Sequence, residues 1–186
     1  MLFYRPQEEP SDSEIVKLKL FHKDVPIHLS DVLPMLENFG LRVIDESPFM
    51  VTSSEGNVNW IMDFKMLHKR VQDFDMESAQ SLFQDAFSQV WKNDLEDDGF
   101  NRLILGANLT GRNVTILRAY AKYMKQIGSS FSHDYIANTL ANYPAIAECL
   151  VNYFEQQFNP SLKRDANKAN AILADIEAQP ERGSQP

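Results

Sequence analysis

The dominant spacing of apolar residues along these 186 residues changes from two to 3.6 close to Asp75. Before that point Val16, Leu18 and Leu20 alternate with Lys17 and Lys19, and Val58, Trp60, Met62 and Phe64 share one face. That period belongs to half-buried strands. After it Ala79, Leu82, Phe83, Ala86, Phe87, Val90 and Trp91 recur at three and four, the stripe of an amphipathic helix. A chain built this way is neither one sheet nor one bundle. It predicts an α+β fold, a small antiparallel sheet with a helix followed by an all-α module. The expected division is 1–72, 73–180 and a disordered tail at 181–186, the order being lost already from Gln179. No internal repeat is visible.

In the first part Leu2 to Arg5 is a short strand candidate, set off by the polar stretch Gln7 to Ser13. A turn at His22 to Pro26 leads to a helix over about Ser30 to Phe39, with Val32, Leu33, Leu36 and Phe39 inward. Ser30 or Asp31 can cap it, and Asp31 is preferred because Pro34 then falls where no amide bond is lost. Gly40 supplies the left-handed residue that ends it. Leu41, Val43 and Phe49 to Thr52 read as strand broken by Pro48. Ser53 to Asn57 turns the chain into the partner strand Val58 to Phe64, where Ile61 interrupts the alternation.

The second part predicts helices over Phe100 to Ala107 and from Thr110 or Gly111 to Ile127, the latter with Val114, Leu117, Tyr120, Ala121 and Met124 inward. Ser132 caps a short helix carrying Ile136 and Leu140. Pro144 opens another, with Ile146, Ala147, Leu150, Val151 and Phe154 on one side. The last helix, Leu162 to Ala178, has a thin apolar stripe that calls for an absent partner.

Eighteen basic against twenty-six acidic residues leave a net charge of −8. A field of that sign repels phosphate backbones, which argues against nucleic acid. The lone Cys149 makes an intrachain disulfide impossible and fits a reducing compartment. No apolar run is long enough to cross a bilayer, and Met1 to Pro10 lacks the layout of a secretory signal. The expectation is a soluble, cytoplasmic segment, one internal piece of a larger enzyme.

Chemistry-bearing patterns are few. Gly106 to Asn113 has the glycine spacing of a phosphate loop, but Arg112 and Asn113 stand where lysine and a hydroxyl are needed, so it reads as a turn. No dinucleotide fingerprint follows a strand. Asp94, Glu96, Asp97 and Asp98 read as an acidic linker rather than a cation loop. His22, His28, His68 and His133 show no paired spacing for a metal. Cys149 reads as a buried, inert thiol. The N-x-T acceptors at Asn108 and Asn113 matter only in a secreted chain. Arg118, Lys122 and Lys125, at i, i+4 and i+7, read as a solvated stripe, with a docking surface for an acidic partner as the alternative. No catalytic, cofactor-binding or metal residue is assigned.

Several stretches in order resemble the large bacterial-type NAD-dependent glutamate dehydrogenase: LSDVLPMLENFGLRVIDE at 29–46, FSQVW at 87–91, DGFNRL at 98–103, LRAYAKYMK at 117–125, FSHDYI at 131–136 and FNP at 158–160. The resemblance implies an ACT-like module followed by a helical module, both ahead of the catalytic part. It implies a parent that converts L-glutamate to 2-oxoglutarate and ammonia with NAD. The implied partners are other domains or subunits of that enzyme, a homo-oligomeric parent and an amino-acid effector as a candidate ligand. The family's catalytic lysine and nucleotide-binding domain have no matching positions here. The turn at His22 to Pro26 lacks the glycine with which an ACT domain grips its effector, and no last ACT strand is visible after Asn93. An amino-acid sensor and a freestanding helical interaction protein are the competing readings.

Overall fold

In this computed structural model residues 1–7, 10, 13–69 and 75–182 are described, with side chains through 178. The expected boundary at 72/73 and the end of the tail, 183–186, lie outside the described residues. Four strands, β1 (Leu2–Tyr4), β2 (Ile15–Lys23), β3 (Arg42–Thr52) and β4 (Val58–Leu67), form one antiparallel sheet in the order β1-β2-β4-β3. Helices α1 (Leu29–Asn38) and α2 (Met76–Trp91) belong to the same part of the chain. The alternating residues decide which face they cover. Val16, Leu18 and Leu20 stand opposite Met66, Phe64 and Met62, with Phe3 beside Leu18, and all are buried. Phe83 of α2 lies 4.5 Å from Phe3 and 5.1 Å from Phe39, ring centre to ring centre, so one aromatic cluster joins sheet, α1 and α2.

Among the described residues no strand follows Asn93, and the sheet edge beside β2 is taken by β1 from the start of the chain. β1 pairs with β2 at the sheet edge, antiparallel, although it precedes every other element. A strand needs only a neighbour with free backbone groups, not a fixed place in the sequence.

Two expectations that turn on prolines are corrected. Pro48 does not break β3, which runs unbroken through it with an irregularity between Val43 and Asp45. β3 is an edge strand, where a residue without an N–H costs no ladder bond if it faces outward. Neither Ser30 nor Asp31 caps α1. The helix starts at Leu29 after an extended His28 with no side-chain cap, which leaves Pro34 inside it. Burial of Val32, Met35, Leu36 and Phe39 on the sheet outweighs one lost amide bond. Gly40, at φ +81, closes α1 as expected. Its N–H donates to the Glu37 carbonyl and that of Leu41 to Leu36, the paired closure of a Schellman motif.

Beyond α2 lie a 3₁₀ turn (Gly99–Asn101) and helices α3 (Arg102–Gly106), α4 (Gly111–Gln126), α5 (His133–Asn142), α6 (Pro144–Phe158) and α7 (Ala166–Arg182). The expected single helix over Phe100 to Ala107 is thus a 3₁₀ turn running into a short α-helix. Thr110 accepts the Asn113 N–H and Asn113 reaches back, so the loop that mimics a phosphate site is a helix cap. Ser132 caps α5 through the Tyr135 N–H. α7 begins later than expected because the Asp165 carboxylate takes the N–H groups of Asn167 and Lys168. It runs past Ala178 to Arg182. Ala169 is its buried contact, and Leu173 is exposed. One contiguous core runs from Phe3 through α2 and α3 to Ala147 and Val151 of α6.

Candidate functional site

The expected positive stripe on α4 does not exist as a stripe. Val114, Leu117 and Ala121 place the inward face of α4, and Arg118 falls on it, 1% exposed. Tyr120, expected inward, is 48% exposed, and Met124 is only half-buried. An arginine so buried must be matched, since an uncompensated charge in the interior costs several kcal/mol. The acidic run matches it. Arg118 Nε and Nη2 donate to the two carboxylate oxygens of Asp98 at 2.7 and 2.9 Å, and Nη2 also meets Asn101 Oδ1 at 2.9 Å. Nη2 reaches the Glu96 carbonyl at 3.3 Å, and the guanidinium carbon lies 5.9 Å from the centre of the Phe100 ring.

Two more carboxylates of that run, Glu96 and Asp97, have protein partners. Glu96 takes the Lys122 ammonium at 2.6 and 2.7 Å on the surface, and Asp97 accepts from the Asn38 amide at 3.0 Å. Asn101, fully buried, donates to the Glu96 carbonyl at 3.0 Å. The linker and the basic residues of α4 are therefore one clasp fastening α4 to the segment before α3. Of the expected stripe only Lys125, exposed on α4, stands outside the clasp.

His133 completes the clasp from α5. Its Nε2 lies 3.1 Å from Asp98 Oδ2 and its ring 4.8 Å from that of Phe100. A carboxylate and an imidazole at this distance could serve an adjacent nucleophile. Among the described residues, however, His133 has no hydrogen-bond partner besides Asp98. Asp98 also accepts the Phe100 N–H at 3.0 Å. Burial alone would raise the Asp98 carboxyl, but the hydrogen bonds from Arg118 and His133, the Arg118 charge and the Phe100 N–H outweigh it. The group sits below the usual carboxylate range. A carboxylate held ionised in this way fastens Arg118 and His133 to the linker.

Cys149 is half-buried rather than buried, and burial with the Asp175 and Glu148 charges pushes its thiol up, away from the reactive thiolate. Among the described residues no three His, Cys, Asp or Glu side chains are placed to hold a metal ion. On the outer side of α4 and α6 an open apolar groove of about 630 Å³ is lined by Ile116, Ala119, Tyr120, Tyr123 and Phe154.

Residues 1–79 match the family model described as glutamate dehydrogenase, ACT3 domain, and residues 95–160 match that described as glutamate dehydrogenase, helical motif 3. The chain carries the ACT3 domain and helical motif 3 of the glutamate dehydrogenase family. An NAD-specific glutamate dehydrogenase of Halomonas elongata is 48% identical over 158 residues, 85% of this chain and 10% of that protein. One of Pseudomonas aeruginosa is 43% identical over the same shares, and one of Mycobacterium tuberculosis 35% over 91% of this chain and 11% of its own length. The chain thus spans about a tenth of the curated relatives it matches. The ACT3 match covers the whole sheet with α1, and the helical-motif match contains the clasp.

Proposed function

We propose that this chain is a non-catalytic structural and regulatory segment of an NAD-dependent glutamate dehydrogenase, placed ahead of the catalytic domain. The parent would convert L-glutamate, NAD and water to 2-oxoglutarate, ammonia and NADH, with NAD bound outside this segment. The observation that carries the reading is the Arg118 clasp: among the described residues Asp98 and His133 are spent on each other and on Arg118, fastening α4 and α5, and neither side chain hydrogen-bonds a nucleophile. Two neighbouring family models of one enzyme in one chain support the same conclusion.

The apolar groove of α4 and α6 is assigned to another domain of the same polypeptide. Relatives about ten times longer supply such domains, and exposed aromatic side chains favour a protein partner over water. Among the described residues no helix is long and apolar enough to cross a membrane. With one free cysteine, a cytoplasmic setting is the proposed one.

The test is made in the full-length parent enzyme. Arg118→Ala should lower its thermal midpoint and the amount of assembled enzyme, and leave KM for glutamate and NAD within about twofold. A large change in KM, or a lost kcat at unchanged stability, overturns the structural reading.

A further inference from the structure

We propose that the cavity at the end of the sheet opposite the His22–Pro26 turn binds a small dicarboxylate anion and thereby ties the sheet to the helices behind it. The cavity, about 520 Å³, lies where β2 begins, α1 ends, β3 begins and β4 ends, and it is closed from the other side by α3 and α5. That volume falls within the range of small-molecule sites, roughly 300–1,000 Å³. Glu14, Arg42, His68 and Lys69 come from the ACT3 match, Arg102 and Asn138 from the helical-motif match. An occupant would touch both.

The charge of the lining selects the ligand. The protein as a whole carries −8, yet Arg42, Lys69 and Arg102 face this space against the single carboxylate of Glu14. Three cations less one anion leave a surplus of two positive charges, and the cations are spread over separate elements, Arg42 at the start of β3, Lys69 after β4 and Arg102 in α3, which suits two separated carboxylates better than one compact phosphate group. Among the described residues neither Arg42 nor Lys69 has a carboxylate partner, and both are exposed to solvent. Arg102 is held by its hydrogen bond to Asn138 of α5. A planar guanidinium fixed in this way is preorganised for a two-pronged contact with carboxylate. Gly40 brings the end of α1 close to these groups: a Cβ there would stand 3.6 Å from both Arg102 Cγ and His68 Nε2.

Calorimetric titration of the 186-residue chain with succinate, and separately with inorganic phosphate, tests the site. Succinate should give saturable heat with a dissociation constant of about 1 mM or tighter. The combined change Arg42→Gln and Lys69→Gln, on exposed side chains, should weaken it at least about tenfold. Succinate should also raise the thermal midpoint of the unchanged chain and not that of the double variant. No saturable succinate heat up to ~10 mM, or equal binding by the double variant, overturns the proposal. Phosphate binding as tight as succinate overturns the dicarboxylate assignment. The result does not depend on whether the parent is a dehydrogenase.

Discussion

Arg118 and Lys122 are one helical turn apart, and their environments separate their energetic weight. Arg118 is buried against Asp98 and Asn101, so Arg118→Ala removes the opposite charge from a part-buried carboxylate and the donor from the buried Asn101 oxygen, and should cost about 3–5 kcal/mol. Lys122 meets Glu96 in solvent, and Lys122→Ala should cost less than about 1 kcal/mol. Urea denaturation of the two variants checks the contrast. Asp98 also predicts an acid dependence. Its folded carboxyl lies below the unfolded value of about 3.9, so its contribution is complete above that pH. The contribution is lost as pH falls from about 4 through the lower folded value, and Asp98→Asn should flatten the stability curve in that window while lowering stability at pH 7. The sequence held the signal for Arg118, because it shares the phase of Val114, Leu117 and Ala121. Grouping it with Lys122 and Lys125 by charge hid the fact that it lies on the apolar stripe. What no spacing could reveal is that the acidic linker folds back onto that stripe, because the contact spans twenty residues of chain.

At the scale of elements, the strands and long helices were legible because their periods are regular, and the misreadings cluster at proline and at caps. Pro34 and Pro48 argue locally for a boundary. Each is tolerated because of where the element lies, one in a helix pressed on the sheet by Met35 and Leu36, the other on an edge strand. β1, only three residues long, is fixed by the ring of Phe3 in the Phe39–Phe83 cluster rather than by its ladder. Phe3→Ala should therefore cost about 3–5 kcal/mol, and chemical denaturation should show it as a lowered midpoint with an unchanged slope. Gly40→Ala meets no clash, its nearest neighbours standing at 3.6 Å, but must hold φ at +81. The cost should be about 1–2 kcal/mol, read by the same experiment.

At the scale of the molecule, the contiguous core makes sheet and helices one packed body around α2 and α3, although the sequence period divides them near Asp75. Family was readable from the ordered stretches at 29–46 and 117–125, which reflect packing surfaces rather than chemistry. The cavity shared by Arg42 and Arg102 was not readable, because its walls come from segments sixty residues apart. The central claim is that this segment supports a dehydrogenase without performing its reaction. It is tested most directly by following NADH absorbance when the purified 186-residue chain is given L-glutamate and NAD. The account predicts no glutamate-dependent rise above the enzyme-free rate. Sustained turnover that scales with the amount of chain would contradict it.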